Sequence, residues 1–189
     1  MKWSLDFIQK ATQGQVLSSV VEPFSEYCHD NRDPNIKGKL FFPFVGEKHD
    51  GHDFVEKALE AGAGGVVVHQ WRPEWESYKE KASFIKVNDT TQALQDLAQH
   101  WRKQLKAKVI ALTGSNGKTT TKDFLAQILK THDSVHCSQG NFNNHFGLPF
   151  SLLDCGLDAS YCVLEMGMNH QGEIAKLSQI ARPDIVGVI

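Results

Sequence analysis

The sequence has no apolar run approaching the ~20 residues of a membrane-spanning helix. Its first ten residues are polar and amphipathic and lack the apolar centre of a secretory signal, so a cytoplasmic location is expected. Neither charge is in surplus. The 20 Lys and Arg residues stand against 22 Asp and Glu, and the basic ones are scattered, so there is no electrostatic footprint for nucleic acid. Cysteine is sparse: Cys28, Cys137, Cys155 and Cys162 form no C-x-x-C pair, and their spacing suits neither zinc nor a disulfide framework. Free, partly buried thiols are expected. Internal repeats and low-complexity segments are also missing. A chain of 189 residues with ordinary apolar content is long enough for one large or two small domains.

What is present is organised around residues 109–121, V-I-A-L-T-G-S-N-G-K-T-T-T. An apolar, β-branched run leads into a turn of small residues, then a Lys, three Thr and a helical pattern. Strand, glycine loop, Lys-Thr and helix is the layout of a phosphate-binding loop. A polyphosphate must lie against bare backbone N–H groups, so Gly114 and Gly117 are needed where a Cβ would block its approach. The helix start adds its positive dipole end to Ser115, Asn116 and Thr120. Lys118 can reach phosphate oxygens, and the Thr119 hydroxyl can ligate Mg²⁺. The general pattern G-x-x-x-x-G-K would put Gly at 112, where Leu112 stands, so the loop is a shorter G-x-x-G-K-T variant.

The rest of the chain supplies an α/β frame. Helices are expected over 4–12, 54–61 (with Asp53 as cap), 92–106, 122–130, 148–153 and 174–181. Strands are expected over 40–45 (where Pro43 suggests an edge or a bulge), 66–68, 84–87, 109–113, 134–137, 161–166 and 185–189. The order strand-helix-strand from residue 109 onward implies a parallel sheet with right-handed crossovers. A domain boundary is placed near Asn88, giving units 1–88 and 89–189. His49-Asp50-Gly51-His52-Asp53 can be read as a metal site or, as favoured here, a capped turn. His132 and His136, four apart, would suit a metal on a helix, but Asp133-Ser134 between them reads as a helix end followed by a strand, the reading favoured here.

In a parallel sheet, ligands sit beyond the carboxyl ends of the strands. Three polar loops fall there: 113–119, 140–147 and 165–173. Glu165 ends an apolar run, so its carboxylate emerges at the phosphate-loop rim, suited to hold Mg²⁺ directly or through water. The alternative is a solvated or helix-capping carboxylate. Asn141, Asn143 and Asn144 offer uncharged donors and acceptors to phosphate or substrate oxygens, or else form a turn cluster. His170 can contact metal or substrate, or cap a helix.

These residues carry a family resemblance. The strings G-S-N-G-K-T-T, G-N-F-N-N-H-F-G-L-P and E-M-G-M-N-H-Q-G-E-I resemble the Mur ligases of bacterial cell-wall synthesis. Asp30-Asn31-Arg32, Gly38-Lys39-Leu40-Phe41-Phe42, Gly46-Glu47 and Asp50-Gly51-His52-Asp53-Phe54 are similar to that family's UDP-binding domain. Asn31 stands where the family has Ser or Thr, and Pro43 where it has a small residue. The strings are most similar to the branch that adds D-alanyl-D-alanine to UDP-N-acetylmuramoyl-tripeptide.

The resemblance implies a small N-terminal α/β UDP-binding domain followed by part of a P-loop central domain. It implies a monomeric, Mg²⁺- and ATP-dependent amide ligase of peptidoglycan synthesis, without nucleic-acid partner or membrane insertion. The substrate carboxylate would attack the γ-phosphate, and the dipeptide amine would attack the resulting acyl phosphate. Lys118 and Glu165 would be catalytic, Thr119 and Glu165 would hold Mg²⁺, and residues 114–120 would bind ATP. Asp30, Asn31, Arg32, Asn141, Asn143, Asn144 and His170 would bind substrate. Because the family has three domains, the chain is expected to be an N-terminal fragment, inactive alone. Other readings are a diaminopimelate-adding or folylpolyglutamate-type ligase, a stand-alone nucleotide-binding module, or, weakened by Leu112, a P-loop kinase or GTPase.

Overall fold

Ser4 followed by apolar residues at helical spacing produces α1 (Leu5–Thr12), with Ser4 Oγ accepting from the Phe7 N–H at 3.1 Å. The computed structural model describes residues 3–46 and 48–189; Met1, Lys2 and Glu47, the last part of the Gly46-Glu47 motif, lie outside the described residues. Residue contacts divide the chain into two units, Met1–Ala93 and Leu94–Ile189.

The first unit holds a five-stranded sheet of β1 (Gln15–Ser18), β2 (Tyr27–Cys28), β3 (Leu40–Phe41), β4 (Gly65–Val68) and β5 (Ser83–Lys86). The spatial order is β1-β5-β4-β3-β2. Strands β2 to β5 are parallel and β1 runs antiparallel to β5. Val66, Val67 and Val68 are all fully buried, as a strand covered on both faces requires. Phe41, Val66, Val68, Trp75 and Phe84 pack with Val55 and Ala58 of α2 (Val55–Glu60).

Two expectations change here. The strand predicted over 40–45 stops at Phe41, because Pro43 has no N–H to give a ladder; its carbonyl instead accepts from Thr90 Oγ1 at 2.7 Å. The cap of the following helical segment is Asp50 rather than Asp53. Asp50 accepts from the His52 N–H and opens a 3-10 turn, Gly51–Phe54, that runs into α2. Asp53 instead pairs with Arg72, Oδ1 to NH1 at 2.8 Å. The capped-turn reading of residues 49–53 describes this segment.

Helix α3 (Thr90–Arg102) opens with Asp89 Oδ1 accepting from the Gln92 N–H, and the division between units falls in its first turn. It ends at Arg102, four residues before the expected 106, as the chain turns with Gln104 N–H donating to the Trp101 carbonyl. Beyond it come β6 (Lys108–Thr113), α4 (Lys118–Lys130), β7 (Val135–Cys137), α5 (Gly147–Asp154), β8 (Tyr161–Glu165), α6 (Glu173–Ala181) and β9 (Ile185–Val188). The sheet order is β7-β8-β6-β9 and every pairing is parallel. The carboxyl ends of β6, β7 and β8 therefore share one rim. Residues 109–112 and 162–164 are buried, and each large aliphatic among them contributes ~1.5–3 kcal/mol by leaving water, so the strand ends are firmly placed.

Candidate functional site

At the rim of the second sheet four of the predicted polar residues, Lys118, Thr119, Asn143 and Glu165, come together. The loop after β6 bends through Gly114 (φ 142°) and Gly117 (φ 77°), both in the left-handed region that glycine enters without penalty. Gly117 is the N-cap of α4 and provides no side-chain cap, so the first N–H groups of the helix lack a partner within it. Ser115, Asn116 and Gly117 are exposed, and Thr120 with them. The Lys118 side chain folds over the loop, Nζ donating to the Gly114 carbonyl at 2.7 Å. A cation and a row of helix-start amides thus face the same open turn, the arrangement that receives a phosphate.

Glu165 ends β8 and touches the first turn of the helix that follows that loop. It is a buried carboxylate, 2% exposed, and both oxygens are engaged. Thr119 Oγ1 donates to Oε2 and Asn143 Nδ2 donates to Oε1, each at 2.7 Å. Two segments widely separated in sequence from it, and from each other, converge on this acid. Hydroxyl and carboxylate oxygens are hard donors suited to Mg²⁺, which takes few protein ligands and keeps waters or phosphate oxygens in its other positions. Among the described residues no group of three or more His, Cys, Asp or Glu could enclose a metal. The Thr119–Glu165 pair therefore fits Mg²⁺ arriving with a polyphosphate, rather than an all-protein cage.

The other expected residues separate into distinct roles. Asn144 Oδ1 accepts from the N–H groups of Phe146 and Gly147, at 3.1 and 2.8 Å, and so fixes the turn that leads into α5. Asn141 is exposed, and its carbonyl accepts from the Asn143 N–H at 2.7 Å, tightening the turn that presents Asn143. His170 is exposed, and its backbone is fixed by donating to Glu173 Oε2 at 3.1 Å; the Asn169 N–H donates to the same oxygen. Those two amides hold the Glu173 carboxyl below its usual range.

Asp30, Asn31 and Arg32 belong to the first unit and follow β2. Asp30 accepts from Arg32 Nε and NH2 at 2.9 and 2.7 Å, a two-point pairing that pulls its carboxyl pKa down to about 2. Asn31 stands half-exposed between them. Beyond the end of β4, the His52 ring is buried with Nδ1 2.7 Å from Asp50 Oδ1, and Arg72 reaches both Asp50 and Asp53. Both groups sit past the carboxyl ends of parallel strands, the edge where α/β sheets place ligands.

Sequence reasoning missed two residues at the second-unit rim. Gly167 donates its N–H to the Asn143 carbonyl at 2.8 Å, and a Cβ there would lie 2.9 Å from Asn143 Cγ. Lys122 is buried beneath the loop, its Nζ donating to the Ser138 and Gly140 carbonyls. A glycine after a strand signals the first; nothing local signals the second.

Two family models match this chain: the Mur ligase family catalytic domain over residues 36–102 and the Mur ligase middle domain over 112–189. The chain belongs to the Mur ligase family. Among curated relatives, the UDP-N-acetylmuramoyl-tripeptide–D-alanyl-D-alanine ligase of Bacillus subtilis is 47% identical over 77% of this chain and 31% of its own length. The ligase of the same name from Escherichia coli is 40% identical over 78% of this chain and 31% of its own. This Mur ligase chain thus spans about a third of the length of those relatives. Among solved structures, MurF from Acinetobacter baumannii is 34% identical, with a TM-score of 0.90 over 98% of this chain and 40% of that one. MurF from Thermotoga maritima, solved in complex with ADP, is 31% identical, with a TM-score of 0.75 over 87% of this chain and 37% of that one. The mixed α/β architecture with mainly parallel sheets matches those structures.

Proposed function

We propose that this chain forms the UDP-substrate-binding and ATP-binding parts of a ligase that joins D-alanyl-D-alanine to UDP-N-acetylmuramoyl-tripeptide in the cytoplasm. In this reading residues 1–88 receive the UDP-substrate and 89–189 the nucleotide. The observation that carries it is the convergence of Thr119, Asn143 and Glu165 beside the Lys118 loop. High identity to ligases of that name, and an ADP complex of a 31%-identical neighbour, support it.

The chemistry follows from charge. Bringing a substrate carboxylate against a γ-phosphate sets like charges together, and transfer of the phosphoryl group spreads more negative charge over its oxygens. The Lys118 ammonium and the amides at the start of α4 are fixed donors for that charge. Thr119 Oγ1 and Glu165 would hold Mg²⁺, which would supply positive charge to offset that of the phosphates. Asn143 keeps the Glu165 carboxylate turned toward Thr119. Asn141, Asn144 and His170 would meet the tripeptide or the attacking amine, whose alignment itself lowers the barrier. In the first unit, the Asp30–Arg32 fork and Asn31 would meet the UDP moiety.

Calorimetric titration tests both halves. ADP with Mg²⁺ and UDP-N-acetylmuramoyl-tripeptide should each bind, and Lys118→Ala should weaken ADP by ~10–100-fold, the worth of a charge-assisted contact. Equal affinity for the UDP-dipeptide would favour the diaminopimelate-adding reading instead. Because the chain spans a third of its relatives, residues 1–189 by themselves are proposed to bind without turnover. Phosphate release from ATP that requires both substrates would overturn that part.

A further inference from the structure

Lys122 lies one helical turn beyond Lys118 on α4, where an exposed lysine would be ordinary, yet its side chain is 1% exposed. A buried ammonium must find acceptors or it costs several kcal/mol. It finds two backbone carbonyls, Ser138 at 2.7 Å and Gly140 at 3.1 Å. The nearest carboxylate, Asp123 at 3.4 Å, is itself more than half exposed. The ammonium is therefore held chiefly by the chain that leaves β7. Gly140 turns there with φ 52°, and three residues later Asn143 donates to Glu165.

The same helix carries Thr119, which reaches the other oxygen of Glu165. One rigid element thus touches Glu165 through its first turn and grips the loop bearing Asn143 through its second. We propose that Lys122 is a positioning residue that couples the phosphate-loop helix to residues 138–144, fixing Asn143 on Glu165 so that loop order and Mg²⁺–nucleotide binding rise and fall together. Its dependence on Mg²⁺–nucleotide binding rests on the reading given above; its grip on the loop does not.

The protein is examined as wild type, Lys122→Met and Lys122→Arg, by amide hydrogen exchange over 138–144 and by calorimetry with ADP, with and without Mg²⁺. Without ligand, exchange in 138–144 should be ~10-fold faster in the Met variant, as for loss of a buried charged hydrogen bond, and within about two-fold of wild type in the Arg variant. The gain in ADP affinity on adding Mg²⁺ should shrink by ~10-fold in Lys122→Met and be largely restored in Lys122→Arg, while Mg²⁺-free affinity changes less than about two-fold. Should circular dichroism show the Met variant unfolded, Lys122→Gln, which keeps a donor but shortens its reach, carries the same measurements. Unchanged exchange in 138–144 overturns the proposal. So does an equal loss of affinity with and without Mg²⁺, which would mark a general defect of the helix. If wild type binds no ADP at all, the nucleotide reading fails, and the ligand-free exchange still decides whether Lys122 holds the loop.

Discussion

Asn143 Nδ2 lies 2.7 Å from Glu165 Oε1, and this contact joins the loop after β7 to the acid at the end of β8. Thr119 occupies the opposite oxygen at the same distance, so the carboxylate is fixed in rotation as well as position. Orientation of a metal-binding carboxylate by a neighbouring donor is worth ~10–100-fold in metal affinity. Asn143→Ala should therefore lower the Mg²⁺-dependent part of ADP binding by ~10-fold, and Glu165→Gln, which removes the charged ligand, by more. Calorimetry at several Mg²⁺ concentrations reads this directly. A Glu165→Gln variant with wild-type Mg²⁺ dependence would remove Glu165 from the metal role.

Gly167 permits that contact by lacking a side chain. A Cβ would stand 2.9 Å from Asn143 Cγ and 3.0 Å from its Nδ2, so the amide must shift. The Asn143 backbone cannot easily move away, because the Gly167 N–H donates to its carbonyl. Gly167→Ala should reproduce most of the Asn143→Ala defect in Mg²⁺-dependent ADP binding, ~5–10-fold, with little added loss when the two are combined. Fully additive losses would show that Gly167 acts elsewhere.

The glycine turn before α4 and the strand-end position of Glu165 are legible because both leave local signatures. Bare amides need Gly114 and Gly117 at short spacing, and a strand-end acid announces itself after an apolar run. Lys122 was not legible, since a lysine four residues after Lys118 reads as a solvated helix face and its partners are carbonyls, 16 and 18 residues away, that leave no mark in residue type. Asn144 is alike in type to its neighbours, and only the folded geometry separates its turn contacts from the Glu165 contact of Asn143. The short β3 shows the opposite case: Pro43 marks an irregularity in the sequence, but not that the strand stops at Phe41.

His52 gives the first unit a pH dependence. The ring is fully buried, Nδ1 facing Asp50 and Nε2 accepting from the His69 N–H at 3.2 Å, which suits the neutral form. Burial lowers its pKa from 6.5, outweighing the Asp50 hydrogen bond that raises it. With the folded pKa below the unfolded one, the unfolded chain takes up the proton first as pH falls. The contribution of His52 is thus complete above about 6.5 and is lost as pH drops through the lowered folded value. Amide exchange in Val66–Val68, followed from pH 7.5 to 5 after correction for intrinsic rates, should show protection falling in wild type and falling less steeply in His52→Gln. Parallel profiles would assign the pH dependence to other groups.

Cys28 provides a chemical check on the packing of the first sheet. Its thiol is 5% exposed and its pKa is pushed up to about 12, chiefly by burial and next by the Asp33 carboxylate. Reactivity follows the thiolate, and at pH 8 such a thiol is ionised to only about one part in 10⁴. Cys155 and Cys162 are fully buried, whereas Cys137 is only partly covered, though burial raises its pKa as well. Iodoacetamide at pH 8 should therefore modify Cys137 first, with Cys28, Cys155 and Cys162 following only at the rate at which the structure opens. Mass spectrometry of tryptic peptides reads the order, and denaturant should bring all four to similar rates. Native-state labelling of Cys28 as fast as Cys137 would mean that β2 does not pack beneath Asp33 and Lys39, and the Asp30–Arg32 fork that follows it would lose its support.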